Sequence, residues 1–132
     1  MNTLRKKLLL VILLTCACIL PQKIAAHSWM APKAEADKLN PIAISEESRR
    51  NGKLIFSQEC AYCHGENGRG MSKEAATLQT NTPDLLKGLK SHSEGDFHWK
   101  ILKGKGEMPG YEGELSDREI WDILNYLKTI TE

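Results

Sequence analysis

Two cysteines two residues apart, followed at once by a histidine, constrain this chain more than any other feature. They are Cys60-Ala61-Tyr62-Cys63-His64. Two thiols spaced over one helical turn can each bond to one side of a planar ring. The next residue can then place an imidazole under the ring's metal. C-x-x-C-H is the attachment signature of a covalently bound haem c. A thioredoxin-like redox pair would need a βαβ setting, which the surrounding pattern lacks. A zinc site would need two more ligands at close spacing, and His27, His92 and His98 form no such pair.

The other two cysteines, Cys16 and Cys18, first suggest a small disulfide framework. Their position argues against it. Arg5, Lys6 and Lys7 precede a 13-residue run, Leu8 to Leu20, in which only Thr15 is not apolar. Pro21 ends the run, and Ile24-Ala25-Ala26 supplies small residues for cleavage. This is the three-part pattern of a secretory signal peptide. The run is shorter than the roughly 20 apolar residues a membrane-spanning helix needs, so a retained N-terminal anchor is the secondary reading. Thr15 does not suit a lipoprotein cysteine at either Cys16 or Cys18, and both read as small apolar residues of a discarded leader.

The expected division is a leader at 1–26, an arm at 27–44 and one folded domain at 45–132. The leader carries four basic residues and no acid, so its removal takes the net charge from +1 to −3. Neither value suits a nucleic-acid binder. Cleavage would make His27 the new N-terminus, where its amine and imidazole could chelate copper with His92 or His98 as a third ligand.

The arm holds Pro32, Pro41 and mixed charges, and offers little core. Ala34 to Leu39 predicts one or two helical turns. Ser45, followed by Glu46 and Glu47, predicts a capped helix over about 46–59. Residues 71–92 predict short helices between loops. Ser93 caps a helix to about Lys103, which Gly104 and Gly106 stop. Ser116 and Glu119 form a capping box, with Leu115 placed to staple onto Ile120. Ile120, Ile123, Leu124 and Leu127 then repeat at helical spacing. No segment alternates with period two, so the expected fold class is all-α. A domain this small has a marginal core and gains from a cofactor as a staple.

With these residues in place, the chain resembles the class I monohaem cytochromes c over about 48–131. Gly52, Phe56 and Cys60 have the spacing of that family's first helix. Cys63-His64-Gly65, Gly68 and Gly70 match its C-H-G-x-x-G-x-G stretch. Pro83-Asp84-Leu85 is similar to its proline segment. Gly104, Gly106, Met108, Pro109 and Tyr111 are similar to its methionine-ligand loop, and Leu115 to Leu127 to its last helix. The resemblance implies one haem c, bonded through Cys60 and Cys63, with His64 as the proximal iron ligand. For the sixth ligand the residues offer Met30, Met71, Met108, His92 and His98. Met71 is close in sequence to Cys63, and Met30 lies in the arm. Met108 sits in a Gly-Pro-rich loop able to approach a haem face, and is preferred over His92 or His98. The resemblance also implies that the Pro83 carbonyl accepts a hydrogen bond from His64. Trp99 and Tyr111 are haem-packing or plain core residues. Trp121 and Tyr126 are expected to pack the last helix on the first near Gly52.

With both axial positions filled, the iron has no open site, and no catalytic constellation surrounds the motif. The expected function is one-electron transfer, Fe(III)/Fe(II), between redox proteins in the periplasm. The alternative is a small haem enzyme or ligand sensor with an open or displaceable sixth site. Five lysines and two acids lie between Lys87 and Lys105, and six acids and one arginine between Glu107 and Asp122. That asymmetry would orient a charged partner.

Overall fold

A computed structural model describes residues 29–130. The leader cysteines and His27 lie outside the described residues. Among the described residues seven helices follow one another: α1 (Lys33–Ala36), α2 (Glu46–Glu59), α3 (Ala61–His64), α4 (Lys73–Ala76), α5 (Leu85–Leu89), α6 (Glu94–Lys103) and α7 (Asp117–Thr129). Among the described residues there is no strand. Two isolated bridges, Lys105 with Met108 and Glu112 with Leu115, shape the loop between α6 and α7.

The three long helices begin at serines whose side chains accept backbone N–H groups one turn on. Ser45 takes Ser48, Ser93 takes Asp96 and Ser116 takes Glu119. At α7 the Glu119 carboxylate reaches back to the Ser116 amide at 2.8 Å and completes the box. Those bonds satisfy donors that every helix start leaves orphaned.

The main seam joins α2 to α7. It turns on Gly52: a Cβ there would fall 1.9 Å from the Asp122 carbonyl oxygen. The two backbones touch where the side chain is missing. Around that point Phe56, Ile120, Ile123, Leu124 and Leu127 are fully buried. Tyr126 packs its ring on Phe56 at 5.6 Å between centroids. Trp121, expected on the same seam, stacks on His98 of α6 at 4.2 Å. Helix α7 is therefore held on two sides, by α2 and by α6, and its broad apolar face exceeds what α2 alone can cover.

A buried polar network also crosses the seam. Ser48 Oγ donates to Asp122 Oδ1. Asn125 Nδ2 donates to Ser48 Oγ at 2.9 Å and to the Ile42 carbonyl at 3.0 Å. Asn40 Nδ2 donates to Asn125 Oδ1 at 2.9 Å. Buried polar groups are tolerated when they are paired in this way.

The last two bonds hold the arm. It contributes little core, with Ala31 the one buried apolar residue among its described residues, but it is docked. The Ala31 amide donates to Asp96 Oδ1 at 2.7 Å, and Ser93 Oγ donates to the Ala36 carbonyl at 2.6 Å.

Candidate functional site

Beside the α2–α7 seam, walled in part by its Phe56, Ile123 and Leu127, lies a cavity of about 690 Å³. That lies in the range of cofactor pockets. Cys60, Cys63, His64 and Met108 all line it, against apolar residues such as Phe56, Phe97, Ile101 and Leu127. The sequence separates Met108 from His64 by more than forty residues; folding brings them to one cavity.

Local backbone explains how. Cys60 ends α2, its amide bonded to the Phe56 carbonyl, and starts α3. The amides of Cys63 and His64 then bond to the Cys60 carbonyl at 3.1 and 2.9 Å. One tight turn thus presents both thiols and the imidazole. Gly70 lets the next loop return. Its φ is +82°, and a Cβ would fall 2.3 Å from the Thr82 carbonyl. Thr82 Oγ1 donates to the Cys63 carbonyl at 2.7 Å and accepts the Met71 amide at 2.7 Å. This hydroxyl clips the 82–85 segment to the C-x-x-C-H turn. No sequence pattern announces it, because a lone threonine between Asn81 and Pro83 reads as ordinary loop.

Met108 is set by a turn closed through reciprocal bonds between Lys105 and Met108. Glu107 Oε2 accepts the Gln79 amide at 2.9 Å, tying this loop to the one opposite in sequence. Tyr111 lines the cavity, and its hydroxyl donates to the Glu59 carbonyl at 2.9 Å, beside Cys60. Burial first, then the neighbouring Cys60 and Glu59, push the Tyr111 hydroxyl up to about 12, so it stays a donor.

Of the other residues considered for iron, His92 lines the cavity, with Nδ1 3.4 Å from Asp96 Oδ2. His98 does not; it is buried against Trp121, 3.3 Å from Asp117. Met30 and Met71 are also absent from the cavity wall. Trp99 is half-buried away from it. Trp29, which the sequence left in the arm, lines it.

The donor set suits a haem. Cys60 and Cys63 are unbridged. Burial, with Glu59 and Cys63 nearby, pushes the Cys60 thiol up to about 12, so it faces the cavity uncharged. Burial lowers His64 below the ordinary value of 6.5 and keeps its imidazole neutral, the form a metal requires. His64 Nδ1 is buried without a hydrogen-bond partner. The bond from His64 to the Pro83 carbonyl, implied by the resemblance, is therefore not made, although both residues line the cavity. The Pro83 carbonyl lies against Gly70, 2.8 Å from where a Cβ would be. A partnerless buried nitrogen costs about 1–3 kcal/mol and marks an imidazole placed for something other than packing.

An all-α fold around an apolar cavity, with two thiols and an imidazole on one turn, defines a small c-type haem domain. A protein-family model described as "Cytochrome C oxidase, cbb3-type, subunit III" matches residues 47–127, and the chain belongs to that family. It is similar to a cytochrome c6 of Bumilleriopsis filiformis, 32% identical over 82 residues, which are 62% of this chain and 91% of that protein. A cytochrome c6 of Limnospira maxima is 32% identical over 58% of this chain and 85% of its own length. A thiosulfate dehydrogenase of Psychrobacter arcticus is 34% identical over 61% of this chain, which spans 25% of that enzyme. Among solved structures, a chain of the reducing HAO-like protein complex of Kuenenia stuttgartiensis shares the fold, with a TM-score of 0.53 at 23% identity, over 70% of this chain and 47% of that one. The chain is a class I monohaem c-type cytochrome, a one-electron carrier whose cofactor is covalently bound haem c.

Proposed function

We propose that haem c occupies the cavity, thioether-bonded to Cys60 and Cys63, with its iron held between His64 and Met108. The observation that carries this is the convergence of those four side chains on one cavity. The haem supplies a metal centre that gains and loses one electron without forming or breaking a bond to substrate. The chain does the rest. His64, kept neutral by burial, donates a nitrogen lone pair. Met108 donates a soft sulfur, which favours reduced iron. Tyr111 and Glu107 fix the Met108 loop by bonds to Glu59 and Gln79, so the sulfur arrives without a search through loop conformations. Apolar residues exclude water and lower the solvent rearrangement that accompanies each electron.

The protein is then a carrier rather than an enzyme, passing electrons between redox partners in the periplasm after loss of the 1–26 leader. Among the described residues no helix is long and apolar enough to cross a membrane. Charge placement gives limited steering. Lys100 and Lys105 line the cavity, while Lys103 is bound to Glu112 at 2.7 Å.

A ferric optical spectrum tests the axial pair. Sulfur ligation gives a weak charge-transfer band at the red end, which Met108→Ala removes and His92→Ala leaves. The second reading is a haem enzyme or ligand sensor with an open sixth site, favoured by the partial match to a thiosulfate dehydrogenase. It requires high-spin ferric features in the wild type and no such band.

A further inference from the structure

The arm precedes residues 47–127, which match the family, yet it supplies a wall of the cavity. Trp29 lines that wall together with Lys100 and Lys105. The ammonium of Lys100 lies 5.5 Å from the Trp29 ring centre and that of Lys105 5.7 Å. Both are within cation–π range. Lys105 is exposed, so this part of the wall reaches the outer rim.

The placement is built, not incidental. Asp96 is fully buried. One oxygen accepts the Ala31 amide at 2.7 Å, two residues from Trp29. The other lies 2.6 Å from the Lys100 ammonium. A single carboxylate thus fixes both the backbone that carries the indole and one cation resting on it. Gly95, next to Asp96, provides the seat: a Cβ there would fall 2.3 Å from the Glu35 carbonyl and 2.8 Å from those of Ala36 and Lys38. The arm therefore presses backbone to backbone on α6, and its position is set at α1 and at Ala31.

We infer that Trp29 is a haem-contacting residue, carried in by the arm to close the lysine-bearing rim of the cavity over the haem edge. This rests on the reading that haem c occupies the cavity. The indole and the aliphatic stems of the two lysines replace water at that edge. The Lys105 ammonium adds positive charge beside it, while that of Lys100 is paired with Asp96. Exclusion of water disfavours the more highly charged ferric state, so the arm raises the reduction potential. Residues 47–127 alone would leave this side of the ring more open to water.

The test uses the full haem-loaded protein and three variants: Trp29→Phe, Trp29→Ala and Ala31→Pro. The last removes the anchoring amide and leaves the indole. Proton NMR of the ferrous form should show the Trp29 indole resonances displaced by the haem ring current. Trp29→Phe should remove them, and Ala31→Pro should return them towards ordinary positions. The reduction potential should fall in Trp29→Ala and in Ala31→Pro, read as a several-fold rise in the ferric-to-ferrous ratio at fixed ambient potential. Trp29→Phe, which keeps an aromatic cover, should retain most of the wild-type value. Ordinary Trp29 resonances with an unchanged Trp29→Ala potential would overturn the proposal. A fall in Trp29→Ala that Ala31→Pro does not reproduce would overturn the role of the arm's anchor. A wild-type protein without covalent haem would instead defeat the site reading itself.

Discussion

The α2–α7 seam and the cavity side are built on different principles. The seam is backbone against backbone at Gly52, with Phe56, Ile120, Ile123, Leu124 and Leu127 wholly buried. Its shape follows from the chain alone. The cavity side is made of loops and short helices, and the walls face a space of about 690 Å³. It borrows Phe56, Ile123 and Leu127 from the seam, adds Phe97, Ile101 and Tyr111 as walls, and has Ala76 and Leu86 holding α4 and α5. Those loops rely on hydrogen bonds such as Thr82 to Cys63 and Glu107 to Gln79. One side forms a scaffold; the other needs its cofactor to complete a core.

The sharpest way to break that contrast is Gly52→Val. The added carbons would meet the Asp122 backbone, which cannot move without opening the seam. Overpacking against side chains costs about 1–3 kcal/mol. Against backbone the loss should be larger, and circular dichroism should show a chain that does not fold. A folded variant with unchanged melting would show the seam to be softer than described. Next, Cys60→Ala with Cys63→Ala should prevent covalent attachment, leaving haem extractable by acid butanone. Hydrogen exchange should then quicken in 65–92 and 104–115 while α2 and α7 keep protection. Equal loss of protection on both sides would erase the distinction.

Smaller changes sharpen it. Ser116→Ala removes the α7 cap and should lower stability by about 1 kcal/mol, measured by denaturant unfolding. The mildest effect is on pH. Burial lowers His98 below its ordinary 6.5, against the pull of Asp117 and Glu35 and with a smaller push from Lys38. The unfolded chain therefore takes up this proton more readily than the folded one. Its contribution is present above 6.5 and is lost as pH falls through that value towards the folded one. His98→Asn should flatten the slope of stability between about pH 7 and 5 relative to the wild type. An identical slope would place the titration elsewhere.

The parts legible in the sequence are those whose causes are local. Ser45, Ser93 and Ser116 announce their helices through neighbours within one turn, and the observed starts at Glu46, Glu94 and Asp117 agree. The attachment motif is equally local, so Cys60, Cys63 and His64 could be named at once. Met108 rested partly on the family resemblance and partly on elimination, because only the fold brings it to the cavity that His64 lines. The docked arm was out of reach for the same reason. Ala31 meets Asp96 across 65 positions, and neither carries a pattern that names the other. Trp29 was the available signal, the one aromatic ring besides His27 in the 27–44 segment. Helical spacing gives the face that carries Trp121 but not its stacking on His98 of α6.

In the proposed site Met108 would supply the second protein ligand to the iron, beside His64. The most direct measurement is proton NMR of the ferrous holoprotein. A thioether bound to iron places its methyl group over the porphyrin, where the ring current moves its three-proton resonance far upfield. That signal should be present in the wild type, Met30→Ala and Met71→Ala, and absent in Met108→Ala. Its absence from the wild type, or its survival in Met108→Ala, would contradict the assignment.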